Sequence, residues 1–472
     1  MKTDGPFCPA DAGAEAWPVR SSLVRWLLAL AAILALLLAP ALWNGYAVVF
    51  HDTGGYVGSV LEWQLFPGRS FFYGLFLWLT SLGWLNFWGP AVAQSLLAAW
   101  TIHLLLRCHG LAAGPLALTL HCAGLALVTG ISWYTSQLMP DILVPLVVLA
   151  YLLLGLYGQA LRWWERAGLA AMALLGLLSH MSCLALAIGL VGVTLILRLI
   201  TRWRHWPLQV RVWPGAALAV AALLLMPTVH VLLFQHPGFT PGGSAFLYGR
   251  LVQDGLAHRW LADHCPADGV RLCALQQRLP HTADEFLWAD SSPFRDLGGW
   301  ERQSQEELGR LVRATVAAYP AAFACNSLRF TAVQLVKVAT GDGLDEHHDA
   351  TRGVLTGTLP QSARPYTEAR QQQGEVSRQL FKTLNRVHRP VAWLTTAMLP
   401  LLLVLGVRAY RFDRALLAFF LLTALVGNAF ICGALSNPHD RYQSRVVWIA
   451  VLAVGMALAD RGRPGEGEKA KG

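Results

Sequence analysis

The feature that most limits this chain is a series of about ten apolar runs, at 23–43, 88–106, 111–131, 141–158, 168–180, 182–199, 213–234, 391–407, 415–433 and 446–459. A hydrocarbon core of ~30 Å takes roughly 20 helical residues to cross, and fewer where the bilayer thins around a short helix. Hydrocarbon gives the backbone no hydrogen-bond partner, so runs of this kind are predicted to be α-helical. At 55% hydrophobic and 14% charged residues, 472 residues carry more apolar surface than a soluble fold could bury. The expected class is all-α, a polytopic membrane protein of about ten transmembrane helices with a mainly helical domain outside the bilayer.

Charge sets the expected orientation, because basic residues near helix ends favour the cytoplasmic side. Arg198, Arg202, Arg204, Arg211, Arg408, Arg411 and Arg414 then lie inside, whereas the short outer loops hold only Arg69, Arg441 and Arg445. The net charge of +9 is read as a topology signal and gives no reason to expect a nucleic-acid partner. Basic residues on both sides of 168–199 favour two crossings that turn at Ser179-His180 over one long tilted helix. The first apolar run is too long for a signal-peptide core and reads as a start-transfer anchor. The expected division is a cytoplasmic tail 1–22, an N-terminal transmembrane module 23–234, an extracytoplasmic domain 235–390, C-terminal transmembrane helices 391–460 and a cytoplasmic tail 461–472. Both termini are expected in the cytoplasm, and the membrane is expected to be a bacterial inner (plasma) membrane.

Three outer loops carry the candidate chemistry. The first holds His51-Asp52-Thr53-Gly54-Gly55-Tyr56, less than three turns beyond the first apolar helix. Asp52 either caps a short helix through Leu65 or serves a site at the membrane surface. Pro67-Gly68-Arg69-Ser70 then leads into a short aromatic run suited to the interface. In the second loop, Asp141 follows Pro140 at the mouth of the fourth crossing, where helix capping and a functional role are both open. His180 is either a polar turn residue or, if protonated, a phosphate ligand. In the last loop, Ser436 to Arg445, two arginines four residues apart share one helix face and suit an anionic partner. Pairing with Asp440 and snorkelling are the structural alternatives.

On these residues the chain resembles the GT-C class of integral-membrane glycosyltransferases, in particular the protein mannosyltransferase and aminoarabinose-transferase branch. Asp52 after the first helix, the Pro67 to Leu79 stretch, the second helix ending at Arg107, Pro140-Asp141, and His439, Arg441 and Tyr442 match that layout. The branch has two adjacent acids where this chain has His51-Asp52. The resemblance covers mainly 23–200 and 434–460. It implies transfer of a sugar from a polyprenyl-phosphate-sugar donor to a glycan, lipid or protein acceptor at the outer face of the membrane, in envelope glycan or glycolipid modification. Asp52 and Asp141 would be catalytic, and His51, Tyr56, Arg69, His180, His439, Arg441, Tyr442 and Arg445 would bind substrate. No cofactor is required. A divalent cation could be held by Asp52 and Asp141, although two carboxylates make a sparse ligand set.

Domain 235–390 matches nothing named. Amphipathic helices are expected near Phe246–Asp263, Glu301–Ala318 and Tyr366–Arg386. Cys265 and Cys273 flank a turn-forming Pro-Ala-Asp-Gly segment and can form a disulfide on an oxidising side; zinc with His258 and His264 fits no standard spacing. Asp342, Asp345, Glu346, His347, His348 and Asp349 are either a solvated loop or a cation site. Other functional readings are a lipid or polysaccharide transporter or flippase, a non-catalytic envelope assembly protein, and an acyltransferase using His51 or His180.

Overall fold

A computed structural model describes residues 19–204, 209–236, 238–344 and 349–460. The fold is helical, with no strand among the described residues beyond an isolated bridge between Val48 and Gln137. Among the described residues, six helices are long and apolar enough to cross a membrane: Trp88–Cys108, Met181–Trp203, Trp213–Phe234, Arg378–Arg408, Phe412–Leu435 and Asp440–Ala459. Shorter apolar helices cover Ser22–Leu37, Phe71–Thr80, Pro115–Val128 and Pro140–Leu156. A 14-residue helix such as Leu143–Leu156 rises only about 21 Å at 1.5 Å per residue. Its side chains are nearly all buried, as befits a helix apolar on every face. At His180 the chain leaves helical geometry for a single residue (φ −146°, ψ 119°), separating Trp163–Ser179 from Met181–Trp203.

One hydrophobic core joins the two ends of the chain. It runs from Ile33 through Met226 and takes in Leu399 to Met456 from the C-terminal helices. A second core, built on Tyr248, Phe286, Phe294 and Leu308, belongs to 245–311. Segment 235–390 is therefore divided, because Leu344, Leu355, Tyr366 and Phe381 join the main core. The helices inside it also differ from expectation. Phe246–Asp263 is split at Gly255 (φ +80°) into Gly243–Gln253 and Leu256–His264. Tyr366–Arg386 is interrupted between Pro360–Glu368 and Arg378–Arg408. Glu301–Ala318 is matched by Arg302–Ala318. Cys265 and Cys273 are joined in a disulfide with a Cα–Cα distance of 5.5 Å. Asp345, Glu346, His347 and His348 lie outside the described residues.

Candidate functional site

Two loops far apart in sequence are stitched together by backbone. Ser136 accepts from Val48 N–H at 3.0 Å, Leu138 N–H donates to Val48 O at 2.9 Å, and Thr53 Oγ1 donates to Leu138 O at 3.2 Å. The Gln371 side chain locks the same loop through both polar groups of Val49, at 3.1 and 2.9 Å. Thr351 Oγ1 accepts from Gly54 N–H at 2.9 Å and contacts Phe50 O and His51 O. These bonds hold the two aspartate-bearing loops in one region of the fold.

Asp52 precedes the helix Thr53–Leu61, yet its side chain makes no capping hydrogen bond. The capping reading fails because the carboxylate is taken by Arg69, which reaches back from the 66–70 turn in a short ion pair. Gly55 makes that approach possible: a Cβ there would sit 2.8 Å from Arg69 Cγ. Arg69 also donates to Pro67 O at 2.9 Å and lies 5.7 Å from the Trp288 ring centre, so it touches the domain above. Both members of the pair are about one-sixth exposed. His51 is exposed, with its ring edge-on to Phe50 at 5.4 Å. Tyr56 is buried against Tyr73, whose hydroxyl donates to Gln94 at 2.8 Å.

Asp141 is fully buried. Its Oδ1 accepts from Arg445 Nη1 at 2.9 Å and lies 3.8 Å from Arg441 Nε, so the two arginines share one carboxylate as their helix spacing implies. Asp141 lies in the first turn of Pro140–Ile142, and neither that turn nor Leu143–Leu156 has a side-chain capping hydrogen bond. Arg445, also fully buried, contacts His180 Nε2 at 2.9 Å, Ser182 Oγ at 3.0 Å and Cys432 Sγ at 3.7 Å. Arginine only donates, so His180 Nε2 must accept and the imidazole is neutral. His180 is thus a hydrogen-bond hub for Arg445, and its role as a protonated phosphate ligand is corrected. Arg445 is likewise enclosed by protein partners and stands behind the site.

Arg441 occupies a different position. Its guanidinium lies 4.1 Å from the Phe50 ring centre and 5.2 Å from that of Tyr442. Its nearest charged partner is Asp141, 3.8 Å from Nε. Nη1 of Arg441, Nε of Arg445 and Oδ2 of Asp141 are buried with no hydrogen-bond partner among the described residues. Tyr134 is tied to Ser444 by a short hydroxyl contact, and Asn428 donates to Tyr442 O at 2.8 Å.

His439 is held between Asp284 and Asp342, each 3.6 Å away. Burial opposes charging the imidazole, but hydrogen bonds and charge from the two carboxylates raise its pKa from 6.5 to about 9. Asp342 is also penalised by burial, yet His439 and the Arg441 backbone N–H bring its pKa down to about 2. Gln334 clamps the His439 backbone from both sides, at 2.8 and 3.0 Å. His439 therefore anchors this loop to the preceding domain. Phe50 and Asp284 drew no attention in the sequence. Asp284 lies on an ordinary capped helix start after Thr282, which carries no local mark of its distant partner.

Among the described residues, no group of three or more His, Cys, Asp or Glu side chains is arranged to hold a metal ion. No family model, curated protein or solved structure matches this chain.

Proposed function

We propose that the protein is a membrane glycosyltransferase that moves a sugar from a polyprenyl-phosphate donor to an acceptor hydroxyl at the outer membrane face. The observation that carries this reading is Arg441: a partly exposed arginine whose buried Nη1 is unfilled among the described residues, stacked on Phe50 two residues before Asp52 and 3.8 Å from Asp141. A phosphate oxygen suits that donor. The finer topology belongs to the same proposal: about ten crossings, cytoplasmic termini, and 235–390 outside the cytoplasm of a bacterial inner membrane.

In the proposed reaction the acceptor oxygen attacks the anomeric carbon as the bond from that carbon to the phosphate oxygen breaks. Polyprenyl phosphate leaves as the anion, stabilised by Arg441, and the acceptor proton passes to Asp52. An ordinary carboxylate is ionised at neutral pH and can serve as base. A single displacement inverts the anomeric centre. Asp52 is suited to this because its partner Arg69 is partly exposed and can exchange a carboxylate for substrate. Asp141 becomes a positioning residue that fixes Arg445 and tilts Arg441. A metal is not part of the scheme.

The test is to reconstitute the full chain in vesicles with radiolabelled polyprenyl-phosphate sugars and an envelope glycan or glycolipid acceptor. Sugar transfer with release of polyprenyl phosphate is expected. Movement of intact donor across the bilayer without sugar transfer would replace this reading with that of a flippase, and inertness toward every donor would favour an assembly protein.

A further inference from the structure

The helix Arg378–Arg408 begins well before its apolar part. Arg378, Lys382, Arg386 and Arg389 are all exposed, and none has an ion-pair partner among the described residues. At about 100° per residue these four positions fall within an arc of roughly 80°. The same arc continues through Trp393, Val404 and Val407, which are exposed at 42%, 46% and 38% on a helix apolar enough to cross a membrane. Exposed valines on such a helix face lipid. The basic stripe thus lies on the lipid-facing side of one continuous helix, just above the point where it enters the hydrocarbon. Arg389 also lies over the Trp393 ring at 4.9 Å, and the Trp393 indole donates to Val336 O at 3.0 Å, which fixes the ring at that level.

We infer that this stripe is a docking surface for anionic phospholipid headgroups of the leaflet that the helix enters. Counted from 391, where the apolar run starts, Arg389 and Arg386 rise about 3 and 8 Å above the hydrocarbon edge, within the headgroup layer; Lys382, about 14 Å up, reaches down with its long stem. Four like charges over three turns repel one another unless anions lie between them. A leaflet containing acidic lipid supplies those anions in the plane where the side chains end. The surface is separate from the outer-loop site, so it stands whether or not the protein transfers sugar.

The full chain in nanodiscs of phosphatidylcholine, titrated with phosphatidylglycerol, tests this through the unfolding midpoint. Wild type is expected to rise with phosphatidylglycerol content. In the triple variant Lys382→Gln/Arg386→Gln/Arg389→Gln, the content needed for half of that rise should increase at least about fivefold, the effect of one basic residue at a charged surface. Arg386→Lys/Arg389→Lys, which keeps the charge, should titrate as wild type does, and the single variant Arg386→Gln should shift part of the way if the triple variant does not fold. Identical titrations for wild type and the Gln variants would overturn the proposal. So would stabilisation of wild type by a soluble polyanion with none from phosphatidylglycerol.

Discussion

Two aspartate–arginine pairs flank the candidate site, alike in chemistry and opposite in burial. Asp52 and Arg69 are joined at the rim, each about one-sixth exposed, by residues 17 apart in sequence. Asp141 and Arg445 are joined in the interior, neither exposed, by residues 304 apart. A rim pair contributes little to stability, because water competes for both charges, and its partners can be exchanged at low cost. A buried pair cannot be opened without stranding a charge in a low-dielectric interior. The comparison makes Asp141 architectural and leaves Asp52 as the carboxylate proposed to react, although Asp52 follows one apolar helix and Asp141 opens another.

The largest expected effect breaks the buried pair. Asp141→Asn leaves Arg445 without a counter-charge and should cost about 3–5 kcal/mol, seen as a large fall in unfolding midpoint or as loss of the folded protein. Replacing both partners, Asp141→Leu with Arg445→Met, should cost less than the sum of the single changes, because no charge is then stranded. A double variant as damaged as that sum would refute the architectural role. At the rim, Arg69→Met should lower stability by no more than about 1 kcal/mol. A loss as large as that of Asp141→Asn would erase the distinction between the pairs.

A third pairing sharpens the comparison through pH. The raised pKa of His439 gives a stabilisation that is complete below its ordinary 6.5 and lost as pH rises through about 9. The depressed pKa of Asp342 gives one that is complete above 3.8 and lost as pH falls through about 2. The contact between the 436–439 loop and the domain before it should thus be firmest between about pH 4 and 6.5. Unfolding midpoints measured across pH should decline on the alkaline side, and His439→Gln should flatten that decline by removing the titrating group. This is the smallest of the effects, since His439 and both carboxylates remain about a third exposed or more.

Much of this architecture was legible in the apolar runs, because a membrane helix must satisfy its own backbone and leaves a long hydrophobic trace. Boundaries were less legible. The apolar run read from 391 and the end of the amphipathic stretch read over Tyr366–Arg386 are one helix that begins at Arg378, because the change from polar to apolar at its middle looks like a boundary. Pro320–Val336 went unnoticed because Pro320 reads equally well as a helix start and as a break. In the site, the spacing of Arg441 and Arg445 put both on one helix face, which meets one carboxylate. That this anion is Asp141 could not be read, because the pairing is made by tertiary packing across 304 residues. The same holds for His180, whose neutral state follows from the arginine facing it and from nothing in its local sequence.

The central claim is that the rim carboxylate reacts while the rest of the cluster holds it in place. Its most direct test is Asp52→Asn in the reconstituted transfer assay, with the unfolding midpoint measured on the same sample. The account predicts at least about a 100-fold loss of sugar transfer, as expected when a general base is removed, with an unfolding midpoint close to that of wild type. Transfer at the wild-type rate by a properly folded Asp52→Asn protein would contradict it.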